Sequence, residues 1–159
     1  MAFKIDDLHF VHVGTSGFIA DFADYTTGNP ATDVVSLENH NDAYFLVIKG
    51  AGAVGTATIT MESCDNVTPS TATAVGFEYK VITAGDTAGA WTAVASTGYL
   101  ITAAADKMVL VHVNAAGLSG TNKFLRMQLT ETDSTACKGA VVAFLANPRF
   151  APASTSALA

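Results

Sequence analysis

The sequence predicts an all-β protein: an antiparallel β-sandwich, jelly-roll or Ig-like, preceded by an irregular N-terminal arm. Three observations carry this. From Asp33 onward short apolar runs recur roughly every ten residues, separated by Gly, Asn and Asp turn chemistry. Several runs alternate: in Ala57-Thr-Ile-Thr-Met-Glu62, Ala57, Ile59 and Met61 point one way and Thr58, Thr60 and Glu62 the other, the pattern of a half-buried strand. Helical periodicity is nearly missing, with only Ala103-Ala-Ala-Asp106 long enough for a single turn.

Taken in order, residues 1–30 form the arm. Leu8-His-Phe-Val-His-Val13 has the make-up of a short strand, Gly14-Thr-Ser-Gly17 is a loop, and Tyr25-Thr-Thr-Gly-Asn-Pro30 stops any regular element. Strands are expected at 33–38, 43–49, 55–63, 75–82, 98–102, 107–113, 123–131 and 139–146. Turns at Glu38–Asp42, Gly50–Gly52, Asp65-Asn66, Ala84–Gly89 and Ala115–Asn122 divide them. Tyr44-Phe-Leu-Val-Ile48 and Met108-Val-Leu-Val111 are continuous apolar runs, so they belong to central strands buried on both faces or packed under a neighbour. Phe124–Thr130 alternates, with Leu125, Met127 and Leu129 inward and Arg126 and Gln128 outward. The sandwich is expected over 31–147, and 148–159 is a Pro/Ala/Ser-rich tail.

The chain of 159 residues is one domain's worth of sequence, 50% hydrophobic and only 14% charged. Such a surface is covered by Thr, Ser, Ala and Gly or is buried against neighbours, which suits an assembly subunit. A formal charge of −6 with scattered cations argues against nucleic acid and anionic membranes as partners. No apolar run is long enough for a membrane-spanning helix. Asp6-Asp7 stands where a signal peptide needs its apolar stretch, so cytoplasmic synthesis is expected. In that compartment Cys64 and Cys137, far apart in sequence, are expected to be inert thiols rather than a disulfide.

Candidate chemistry is sparse. His9 and His12 would fall on opposite faces of a strand, His40 sits in a polar turn, and His112 ends an apolar strand. None has a metal-ligand partner at the right spacing, and no metal or other cofactor is expected. Glu38, Asp42, Glu62 and Asp65 would suit Ca²⁺ only if one end of the sandwich gathered them; the simpler reading is solvated turn residues. Gly50-Ala-Gly-Ala-Val-Gly55 leads into a strand and so is a hairpin turn, not a phosphate-binding loop. No nucleophile elbow is present, and the chain is expected to be non-enzymatic. Trp91, Tyr79 and Phe77, or an exposed coplanar pair among Trp91, Tyr99 and Tyr25, would make an aromatic sugar-binding platform. The alternative has Phe77 and Tyr79 in the core and Trp91 covering an edge.

Val34-Val-Ser-Leu-Glu-Asn39, Tyr44–Gly50, Gly52–Thr58, Phe77-Glu-Tyr-Lys80, Gly85-Asp-Thr87, Ala90-Trp-Thr92, Gly139–Ala143 and Arg149-Phe150, in that order, resemble small structural proteins encoded beside the major capsid proteins of tailed bacteriophages. The resemblance covers most of the chain after residue 30. It implies a capsid decoration (cement) protein on the virion surface, bound to the major capsid protein, bridging neighbouring capsomers and acting as a homo-oligomer, a trimer by preference. In that setting Phe3, Phe10, Phe18, Ile19 and Phe22 of the arm, with Arg149 and Phe150, are the expected partner contacts. The alternatives are a phage tail or neck component, or a carbohydrate-binding or adhesin module.

Overall fold

The computed structural model describes residues 8–11, 13, 29–50, 55–84, 87–102, 108–133, 135 and 139–149. Their strands are β1 (His9–Val11), β2 (Val35–Ser36), β3 (His40–Lys49), β4 (Ala57–Cys64), β5 (Ala72–Val75), β6 (Phe77–Ala84), β7 (Thr87–Ala88), β8 (Thr92–Val94), β9 (Tyr99–Ile101), β10 (Met108–Asn114), β11 (Phe124–Glu131) and β12 (Gly139–Pro148). One 3-10 turn, Ala115–Gly117, follows β10, with the Asn114 side chain accepting from the Ala116 amide. Among the described residues no helix is long and apolar enough to cross a membrane.

The strands form two antiparallel sheets. The first runs β1-β12-β3-β10-β6-β7, with β8 also on the far edge of β6; the second runs β2-β11-β4-β5, with β9 beside β5 along the same edge of β4. Let β1, β2, β3, β4, β9, β10, β11 and β12 be numbered one to eight. The first sheet is then one-eight-three-six and the second two-seven-four-five. That alternation of successive strands between layers is the doubly wrapped Greek key of a jelly roll, which decides between the two expected sandwich types. β5 to β8 are an insertion between β4 and β9: β5 stays on the second sheet, while β6, β7 and β8 widen the first.

Alternation builds the core. Phe45 and Val47 of β3, Val109 and Val111 of β10, and Val141 and Leu145 of β12 point inward from the first sheet. They meet Ile59 and Met61 of β4 and Leu125, Met127 and Leu129 of β11 from the second, all fully or nearly fully buried. The inward and outward assignments for β4 and β11 are as the sequence pattern requires. β3 ends with Lys49 on the inward side, only 2% exposed. Its Nζ donates to the carbonyls of Gly55 (2.8 Å) and Thr102 (3.0 Å), tying the end of the β3–β4 connection to the start of the β9–β10 connection.

Two boundaries differ from expectation. Residues 9–11 of the expected arm are a strand paired with Ala143–Leu145, and Val11 and Val13 are part of the core, so a truncation at residue 22 removes core rather than arm alone. His40, expected in a polar turn, opens β3 and is 2% exposed. Burial, with the charge of His9 second, holds its pKa below the ordinary histidine value. Between the strands expected at 55–63 and 75–82, Ala72–Val75 adds a further strand to β4.

Candidate functional site: the outer face of the seven-stranded sheet

The two sheets present opposite kinds of surface to the outside. On the second sheet the outward residues of β4 and β11 are Thr58, Thr60, Glu62, Arg126, Gln128 and Thr130, and Arg126 Nε donates to Glu62 at 2.7 Å across the strands. This is an ordinary solvated β face. The first sheet is different, because β3, β10 and β12 are apolar on both sides.

Strand register sorts its outward residues into rows. The first is Phe10, Phe144, Tyr44, His112 and Glu78, from β1 across to β6. The second is Val142, Leu46, Leu110 and Lys80, and the third Ala140, Ile48, Met108 and Ile82. Most of these side chains are half-buried, since upright neighbours cover each other's flanks and leave the tips to solvent. Phe10 at one margin is 62% exposed and Trp91 at the other is 42% exposed. The described strands make only two layers, so no third described layer lies over this face. An apolar sheet face with exposed rings such as Phe10 and Trp91 is a candidate interaction site.

The aromatic row has a definite geometry. Tyr44 stacks on Phe144 (5.1 Å between centroids, 9° between planes) and on His112 (4.7 Å, 23°). Trp91 stands edge-on to His112 at 5.9 Å, and Lys80 Nζ lies 4.9 Å from the Trp91 ring. Rings that stack on their cross-strand neighbours turn their faces to one another and their edges outward. Sugar recognition needs exposed ring faces; edges beside aliphatic tips suit protein. Tyr99 is elsewhere, stacked on Tyr79 at 3.9 Å and packed against the core, so the structure does not bring Trp91 and Tyr99 together. Phe77 is core, as the alternative reading had it, but Trp91 lies on the outer face beside Tyr44, His112 and Lys80 rather than over an edge.

Alongside the aromatic row, at the next outward positions of β3 and β10, lies a polar cluster. Asp42 Oδ1 accepts from Asn114 Nδ2 (2.8 Å) and faces His112 Nε2 (2.9 Å), while its Oδ2 accepts from Asn147 Nδ2. Burial raises the Asp42 pKa, but hydrogen bonds from His112, Asn147 and Asn114 together outweigh it and hold the carboxyl below its ordinary value. A buried Asp beside a His is two parts of a nucleophilic triad. The third position is taken by Glu78, whose carboxylate lies 3.5 Å from His112 Nδ1 where a serine or cysteine would have to be. The cluster therefore joins β3, β10 and β12, and among the described residues the His112 imidazole faces Asp42 and Glu78 rather than a serine or cysteine.

The remaining candidates are dispersed. Glu38 faces Lys123 (3.7 Å), Glu62 pairs with Arg126, and Asp65 accepts from Ser70 and Thr71 in its own loop, so the acidic residues considered for Ca²⁺ do not gather. No cluster of three or more His, Cys, Asp or Glu suited to a metal occurs among the described residues. Arg149 is exposed, its amide bonded to the Asn39 carbonyl at 2.8 Å. Phe3, Phe18, Ile19, Phe22, Tyr25, Cys137 and Phe150 lie outside the described residues. Of the expected partner contacts that are described, Phe10 belongs to the apolar face.

The other residues of that face were not singled out from sequence as a site. A signal was present: β12 reads Ala140-Val-Val-Ala-Phe-Leu-Ala146, unbroken by a polar residue, as are the runs in β3 and β10. Three unbroken runs in a sandwich made otherwise of alternating strands point to one sheet with two apolar faces. No known protein family, no curated protein and no solved structure matches this chain.

Proposed function

We propose that this chain is a non-enzymatic structural subunit of a bacteriophage particle, a decoration protein that stabilises the capsid by adding interface. The observation that carries the reading is the apolar outer face of the seven-stranded sheet, a surface built to be covered by protein. The low charge of the chain and its resemblance in strand and turn motifs to proteins encoded beside phage capsid genes support the same reading. The mechanism is additive burial: apolar area contributes about 25 cal/mol per Å² removed from water, and many copies act together on one shell. The partner is the major capsid protein, and the location the virion surface.

The test is addition of the full chain to expanded phage heads that lack it, followed by electron cryo-microscopy. Ordered extra density on the shell is expected. Bare shells at saturating protein would overturn the assignment, and a glycan array that binds the protein strongly would replace it with the adhesin alternative.

A further inference from the structure

We propose that a second copy of this chain covers the apolar face, the two seven-stranded sheets packing against each other about a two-fold axis. The inference rests on the reading that protein covers this face, and it names the protein.

Area comes first. Five outward positions in the first row and four in each of the others, about 4.8 Å apart between strands and about 7 Å apart between rows, give a footprint of about 440 Å². Two such faces remove roughly 900 Å² in total, close to the roughly 1,000 Å² expected of a specific protein interface. One copy against one copy is therefore a small interface.

Charge narrows the choice of partner. With a net charge of −6, two copies repel over most of their surfaces. The three-row face has one acid, Glu78, and one base, Lys80, on the same strand, and the Lys80 ammonium rests against Trp91. Two copies can approach through this face without like charges opposing each other.

Shape completes the argument. The middle row of Val142, Leu46 and Leu110 is aliphatic and lies on three adjacent strands. Sheets of this kind pack face to face about 10 Å apart with their strands nearly aligned. An axis parallel to the strands exchanges the margins, laying the Phe10 side of one copy over the Trp91 side of the other. A face that meets itself in this way closes at two copies.

The experiment is sedimentation equilibrium of the full chain at micromolar concentration, with Leu46→Lys, Leu46→Glu and Leu46→Thr beside it. Circular dichroism of each variant confirms the fold, and Leu46→Thr places an uncharged, β-branched residue suited to a strand there if a charge disrupts it. The expected result is a dimer for the wild type and monomers for each variant alone. A mixture of the Lys and Glu variants should recover the dimer, because opposite charges then meet at the centre of the interface. A monomeric or trimeric wild type overturns the proposal, as do variants that remain dimeric. Shell binding separates this from the functional reading. A monomer that binds phage heads and loses binding with Leu46→Lys means that the capsid covers the face. A dimer that leaves shells bare keeps the pairing and removes the capsid role.

Discussion

Phe45 and Leu46 are adjacent on β3 and point to opposite sides of the sheet, so they separate core from interface within one strand. Phe45 is 0% exposed among Val47, Val111 and the residues of the second sheet. Truncation to alanine removes the ring and leaves a cavity, at a cost of about 3–5 kcal/mol. For a domain of this size each kcal/mol lowers Tm by about 2–4 °C, so Phe45→Ala is expected to melt roughly 6–20 °C lower. Leu46 is half-buried by its cross-strand neighbours alone, and Leu46→Thr is expected to cost no more than about 1 kcal/mol within a single chain. Thermal unfolding at two concentrations roughly a hundredfold apart distinguishes the two effects, because only association makes Tm depend on concentration. Phe45→Ala should lower Tm equally at both. Leu46→Thr should melt within about 4 °C of the wild type when dilute and lose the rise in Tm that the wild type gains when concentrated. If Leu46→Thr destabilises the dilute protein as much as Phe45→Ala does, the outer face is part of the chain's own core and the interface reasoning fails.

Acidification should act in two windows. His40 has a lowered folded pKa, so its neutral form favours the fold, and stability is lost as pH falls below 6.5; His40→Asn should remove that first loss from a Tm-versus-pH curve. Asp42 is likewise depressed, so its contribution is present above 3.8 and lost as pH falls further, and Asp42→Asn should flatten that second limb. Gly98 has φ +88°, and a Cβ there would lie 2.3 Å from the Ile59 carbonyl oxygen. Gly98→Ala should therefore cost more than about 1 kcal/mol by denaturant unfolding. Cys64 is buried, which raises its thiol pKa, so mapped alkylation should leave it unmodified in the native protein and label it fully in denaturant. The Arg126–Glu62 pair lies on the solvated face, and Arg126→Ala should cost no more than about 1 kcal/mol.

The strands were legible because alternation and turn chemistry are local. Each of the eight expected runs from 33–38 to 139–146 contains or overlaps a strand, and Leu8–Val13 contains β1. Missed were β5, β7 and β8. Ala72-Thr-Ala-Val75 has three exposed residues of four and no bulky side chain to signal a strand, and β7 and β8 are two- and three-residue edge pieces. Their existence depends on β4 and β6 offering an edge, which is a tertiary fact. The jelly-roll order was not legible for the same reason, since it pairs β12 with β3 and β11 with β4, far apart in the chain.

The site was half legible. Continuous apolar runs in β3 and β10 pointed to strands covered on both sides, and Phe10 and Trp91 were noticed singly. That they share one face follows from register: Phe10 is opposite Phe144, Phe144 opposite Tyr44, and Tyr44 opposite His112. His112, read as the unremarkable end of a strand, acquires its partners only because Asp42 and Glu78 arrive from the strands on either side.

Electron cryo-microscopy of expanded phage heads incubated with the purified full chain tests the central claim most directly. The account expects ordered density on the shell, into which the jelly roll fits with the outer face of its seven-stranded sheet covered by protein. Density in which that face is turned to solvent, or shells that remain bare, would contradict it.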